Sequence, residues 1–345
     1  MFVSALLMAA LAFISPPIGV RFEEDAARLL GREFVFERPP FDSCHSPTIV
    51  ELSRGELMAA WFGGSGEGNP DVEIWLSVRR NGRWTEPQSA ADGRQDDAVR
   101  FPCWNPVLFK SGRGNVFLFF KIGPSPETWW GLMKVSRDEG QTWTAPERLP
   151  EGFLGPIKNK PVQRGDGTIL CPSSVENGGI WRVHLEATAD EGRTWRKIPL
   201  GSQKAFDLIQ PAILTYPKGT LQVLCRSRQN AVISSWSADG GKTWGAFETT
   251  GLPNPNSGID AVTLRDGRQV LVYNPTVRGE DWPAGRNKLS VTVSGDGRNW
   301  RDVYVLEDER SGEFSYPAII QTSDGLIHIL YTWNRRNIRH VVLSI

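Results

Sequence analysis

Six short stretches set polar or aromatic side chains at the head of an apolar, strand-like run. They are Cys44-His45-Ser46-Pro47, Cys103-Trp104-Asn105-Pro106, Lys158-Asn159-Lys160-Pro161, Ile209-Gln210-Pro211, Gly258-Ile259-Asp260 and Ser315-Tyr316-Pro317. At the place that Pro follows in five of the six stand Ser46, Asn105, Lys160, Gln210, Asp260 and Tyr316, a polar series where a buried strand start would be apolar. His45 carries an imidazole that can move a proton near neutral pH, and Tyr316 offers a phenol as nucleophile or proton donor. Glu67 and Asp71 are carboxylates suited to acid–base work. Lys158, Lys160, Arg226, Arg228 and Arg335 are cations that can fix a carboxylate. Trp104 supplies a stacking plane, and Arg100, Asn105, Gln210 and Asp260 complete the candidate binding set. Cations, carboxylates and tryptophan around one pit suit an acidic sugar.

A repeat must position these residues. SPTIVELSRGELMAAWF, NPVLFKSGRGNVFLFF, KPVQRGDGTILCP, QPAILTYPKGTLQVLC, IDAVTLRDGRQVLVYN and YPAIIQTSDGLIHILYTW share one hairpin pattern. Their turn glycines, Gly55, Gly114, Gly167, Gly219, Gly267 and Gly325, lie 48 to 59 residues apart. That spacing suits one four-stranded sheet per repeat, the size of a propeller blade. Four antiparallel strands alternate direction across such a ring. The starts of the innermost strands and the long loops after the second strands therefore share one face, where the strands converge on the axis.

A second repeat follows the first five hairpins: SVRRNGRW, SRDEGQTW, TADEGRTW, SADGGKTW and SGDGRNW. The middle three fit Ser/Thr-x-Asp-x-Gly-x-Thr-Trp, in which Asp accepts backbone N–H bonds, Gly supplies positive φ and Trp packs beneath the turn. Asp138, Trp143, Asp190, Trp195, Asp239, Trp244, Asp296 and Trp300 are the structural residues of these turns. This Asp-box motif, repeated in blade register, resembles the sialidase superfamily of β-propellers across residues 33–345. The resemblance implies an all-β, six-bladed propeller. It also implies an arginine triad for the substrate carboxylate, one member lying in a Phe-Arg-Ile-Pro motif, with an Asp acid/base and a Tyr nucleophile supported by Glu. Here His45 stands at the Phe-Arg-Ile-Pro arginine, Asp71 matches the acid/base, Tyr316 is the phenol near the sixth-blade Tyr motif, and Arg226, Arg228 and Arg335 are triad candidates. Three functions are compatible: an exo-acting glycoside hydrolase on a terminal acidic sugar, a His45-dependent lyase or rhamnosidase on a rhamnose–uronate linkage, and a non-catalytic glycan-binding propeller.

Composition narrows the rest. Thirty-nine basic against 39 acidic residues in 345 give no field for a polyanion, which argues against nucleic acid as a partner. Residues 1–20, MFVSALLMAALAFISPPIGV, read as a signal peptide and predict export, leaving residues 21–345 as one propeller domain, expected to be a monomer that needs no membrane. EEDAARLL reads as a short helix, and EFVFER, Glu33 to Arg38, as the strand that completes the sixth sheet and closes the ring. Cys44, Cys103, Cys171 and Cys225 occupy paired places in neighbouring blades, compatible with bridges or with buried thiols. His184, His328 and His340 lie in strand-like runs and read as structural. No metal motif stands out, and no cofactor is expected.

Overall fold

The computed structural model of the chain describes residues 26–281 and 283–345, so the expected signal segment lies outside the described residues. Six antiparallel sheets follow one another around a ring. The first holds Ser43–Glu51, Leu57–Gly64 and Glu73–Arg80, with outer pieces Arg83–Trp84 and Gln88–Ala91. The sixth holds Phe314–Gln321, Ile327–Trp333 and Asn337–Ser344, and its outermost strand is Arg28–Phe34 from the other end of the chain. Second strands such as Leu57–Gly64, Val116–Ile122 and Leu221–Ser227 are buried at every position. Neighbouring blades cover both of their faces, which is why these strands read as continuous apolar runs rather than alternating ones. Outer strands such as Glu147–Arg148 are exposed.

The Asp boxes behave as their chemistry requires. Asp138 accepts from the backbone N–H of Thr142 at 2.8 Å, Asp190 from Thr194 at 2.9 Å, Asp239 from Thr243 at 2.9 Å and Asp296 from Asn299 at 2.7 Å. Trp195, Trp244 and Trp300 each donate their indole N–H back to the box glycine carbonyl. The Trp195 ring then meets Phe119 of the preceding blade at 6.3 Å, so the turn also mortars two blades together.

The closing strand differs from expectation. It runs Arg28–Phe34 rather than Glu33–Arg38, and Arg28 to Leu30 are extended rather than helical. Pairing with the open edge of Asn337–Ser344 supplies backbone partners to two chain segments at once, and tertiary pairing of that kind overrides weak local helix propensity. The four cysteines are buried free thiols.

All three histidines read as structural sit on neighbouring side chains. His184 Nε2 lies 2.9 Å from Glu186. At the closure, His328 Nδ1 meets His340 Nε2 at 2.9 Å, and His340 Nδ1 meets Glu33 at 2.9 Å. Glu33 also takes Arg79 of the first blade at 2.8 Å. Burial lowers both imidazoles, His328 to about 4, with Asp324, Arg79 and Glu33 as the remaining charges around the pair. The native state therefore holds these rings neutral, while the unfolded chain takes up protons below its ordinary value near 6.5. Stability is full above that pH and declines as pH falls toward 4, by on the order of 1 kcal/mol per pH unit for His328, with His340 adding in the same direction. Denaturant melts from pH 7 to 4 are expected to show this slope and to become shallower in His328→Asn; a level profile in the wild type would disprove the linkage.

Candidate active site

At four of the six inner-strand starts the backbone takes the same unusual turn. Ser46, Asn105, Gln210 and Tyr316 have φ of 55°, 38°, 54° and 52°, each directly before a Pro and each where the ladder slips register. A bulge leaves a residue without a ladder partner, and Pro, having no N–H to pair, fits that vacancy. A left-handed residue with a side chain costs on the order of 1–2 kcal/mol. Repeated at the mouth of the axis, that strain aims four side chains where a regular strand would not.

Tyr316 is the centre of what results. Its hydroxyl receives an N–H bond from Arg226, whose Nε donates to Asn256 at 3.0 Å and whose Nη1 also reaches Gln210 Oε1 at 3.2 Å. The Arg226 and Arg286 guanidiniums lie 5.5 and 5.7 Å from the phenol ring centroid. The His45 ring packs 4.1 Å from it. Arg286, 1% exposed, pairs with Glu313 at 2.8 Å, and the same carboxylate takes Arg335 Nε at 2.7 Å. Arg335 Nη1 pairs with Glu67, and its Nη2 stands 3.5 Å from His45 Nε2. A guanidinium only donates, so it is Nε2 that faces this donor, with Nδ1 turned away from it. That buried Nδ1 has no partner. Burial holds His45 well below its ordinary value, and Arg335, Arg286, Arg226 and Lys158 push in the same direction. His45 is thus a neutral ring among cations.

Lys158 lies beneath this centre, 3% exposed. Its ammonium donates to Asn159 Oδ1 at 3.0 Å, to the Ile259 carbonyl at 2.9 Å and to the Pro317 carbonyl. Asn159 in turn donates to the Gln210 carbonyl at 2.9 Å. Burial draws Lys158 down, to about 7, while its three acceptors match the three protons of an ammonium. Segment 158–159 therefore ties the inner strands of the fourth, fifth and sixth blades across the axis. Gly258 makes room for it: a Cβ there would stand 3.0 Å from Tyr316 Cγ and 3.1 Å from Lys158 Cε.

Not every residue expected at the pit is in this cluster. Lys160 and Asp260 pair with each other at 2.9 Å, and Asp260 also accepts from the Ile319 N–H, so both are engaged in joining blades. Asp71 is fixed by Ser65, N–H and hydroxyl each at 2.9 Å. With Arg100, Glu73 and Trp75 it lines a separate cavity of 610 Å³ over the first blade. Arg100 is paired to Glu73 there. Arg228 lies at the rim, stacked 4.0 Å over Trp181. Trp104, held by its indole bond to the Gly123 carbonyl at 2.8 Å, packs beside Phe62. Arg286, Glu313 and Asn256 were not singled out in the sequence. Arg286 ends a long loop with other charged residues, and Glu313 stands three residues before Tyr316, the one signal in the sequence that could have found it.

Blade order and Asp-box turns define a six-bladed β-propeller of the sialidase-like fold. Residues 55–329 match the BNR repeat-like domain, and the chain belongs to that family. No curated protein is significantly similar to it in sequence. A protein of unknown function from Dyadobacter fermentans superposes with a TM-score of 0.76 at 17% identity, over 93% of this chain and 99% of that one. The K499G mutant of NanB sialidase from Streptococcus pneumoniae gives 0.70 at 12% identity, over 88% and 68%. The intramolecular trans-sialidase from Ruminococcus gnavus, in complex with oseltamivir carboxylate, gives 0.69 at 14% identity, over 92% and 97%. At such identities the likeness is one of fold. Among the described residues no helix is long and apolar enough to cross a membrane.

Proposed function

We propose that this propeller is an exo-acting glycoside hydrolase that takes a terminal acidic sugar into the axial pit. One observation carries the reading: three guanidiniums, Arg226, Arg286 and Arg335, gather around Tyr316 and His45, and the carboxylates bonded to them are Glu313, on Arg286 and Arg335, and Glu67, on Arg335, with Glu176 at longer range from Arg226. A cluster of arginines beside a phenol suits an anion. Arg226, Arg286 and Arg335 hold the sugar carboxylate. The Tyr316 oxygen, its phenol proton passed to solvent, attacks the anomeric carbon as the glycosidic bond breaks, with the Arg226 guanidinium beside it to meet negative charge. Glu67, protonated from solvent once it leaves Arg335, gives that proton to the departing oxygen, and its carboxylate then takes a proton from the water that displaces Tyr316 from the sugar. Glu67 suits this role better than Asp71, whose carboxylate is fixed in its own loop.

The lyase reading asks His45 to accept a proton. Burial, with Arg335, Arg286, Arg226 and Lys158 adding to it, opposes a positive charge on that ring, so hydrolysis is preferred. The purified protein would be incubated with sialylated and uronate-containing glycans while released acidic sugar, reducing ends and ultraviolet absorbance are followed together. Release of an acidic monosaccharide without absorbance is the expected result. Rising absorbance would establish elimination instead, and saturable binding with no product would leave a glycan-binding propeller.

A further inference from the structure

The loop after the second strand of the first blade is built in two parts. Its base is pinned: Asp71 accepts from Ser65 N–H and hydroxyl at 2.9 Å, Asn69 Nδ2 donates to the Ser65 hydroxyl at 2.9 Å, and Val72 N–H bonds the Asn69 carbonyl at 3.0 Å. Its tip is Gly66-Glu67-Gly68, with Gly68 at φ 88°. The Asn69 N–H bonds the Gly66 carbonyl at 3.0 Å, closing a turn whose two glycines let the backbone carry Glu67 outward. The tip passes over Trp104, whose ring edge would be 3.5 Å from a Cβ at Gly68.

Glu67 reaches from this tip to Arg335 Nη1 with its side chain 37% exposed. Arg335 has a second carboxylate, Glu313, bonded to Nε at 2.7 Å and Nη2 at 3.3 Å and only 6% exposed. The buried partner fixes the guanidinium plane, and the exposed one covers the edge that faces the mouth of the pit. A hydroxyl cannot compete with a carboxylate for that edge, whereas another carboxylate can.

We infer that Glu67 is a tethered stand-in for the ligand carboxylate, so that the axial site admits a sugar only when it brings its own carboxylate to displace Glu67 from Arg335. This rests on the acidic-sugar reading of the pit and adds to it the residue that sets the selection. The exchange forms one ion pair and breaks another, with no net change in charge around Arg335. It also frees Glu67 at the moment a ligand arrives.

Binding of N-acetylneuraminic acid, D-glucuronic acid and, as neutral control, methyl α-D-glucoside would be measured by titration calorimetry on the full chain, Glu67→Gln and Glu67→Ala. Both substitutions fall on an exposed loop tip, so folding is not at stake. Loss of the competing carboxylate is expected to tighten an acid by about three- to fivefold, the size of one half-exposed ion pair, and to leave the neutral sugar unchanged. Equal or weaker binding of the acids by both variants would overturn the exchange while leaving the acidic-sugar site standing. Should the wild type and both variants bind neither acid, the site reading fails and this inference with it.

Discussion

Lys158→Met is expected to damage fold and site together. Methionine keeps the length of the side chain but leaves the Ile259 and Pro317 carbonyls and Asn159 Oδ1 without the donor that now serves all three. Each buried acceptor left unmade costs about 1–3 kcal/mol, and a total loss of about 3–5 kcal/mol in denaturant stability follows, the range in which buried networks break. The Pro317 carbonyl belongs to the bulge that holds Tyr316 at φ 52°. Without Lys158 that bulge loses its anchor across the axis, and a shift of about 1 Å at a reacting group can lower turnover by 10²-fold. Urea titration and, on any glycan found to be cleaved, kcat are the measurements. A variant within 1 kcal/mol of wild type would show that the axial bonds are incidental to stability.

Tyr316→Phe separates chemistry from architecture. The ring, its left-handed backbone and its packing against His45 are kept. Arg226 retains Asn256 and Gln210 as acceptors, so the loss of one hydroxyl is expected to change stability by less than about 1 kcal/mol. Turnover is expected to fall by on the order of 10³-fold or more, as for removal of a covalent nucleophile, with ligand affinity little altered because the guanidiniums remain. A kcat within tenfold of wild type would remove Tyr316 from the nucleophile role.

The blades were legible because their signals are local. A hairpin of two apolar runs about a turn glycine, and a box whose Asp bonds residues within four positions of itself, are satisfied by neighbours in sequence and so leave a readable repeat. The polar inner-strand starts were legible for the same reason, since a strand position fixes which end of the sheet a residue occupies. What each of those side chains does was not. Lys158 and Lys160 stand two residues apart in one motif. Yet one ties carbonyls beneath Tyr316 and the other pairs with Asp260, because both lie in the bent segment that precedes the strand Val162–Gln163, where the strand period does not apply. Glu67 and Asp71 share a loop, and only Glu67 reaches the centre, through Arg335, 268 residues away. Ring closure creates that contact by bringing the last blade against the first, and a pairing made by closure leaves no spacing in the sequence by which to find it. Arg286 and Glu313 became a site for the same reason: each is ordinary in its own segment, and only their burial against each other and Arg335 gives them a function.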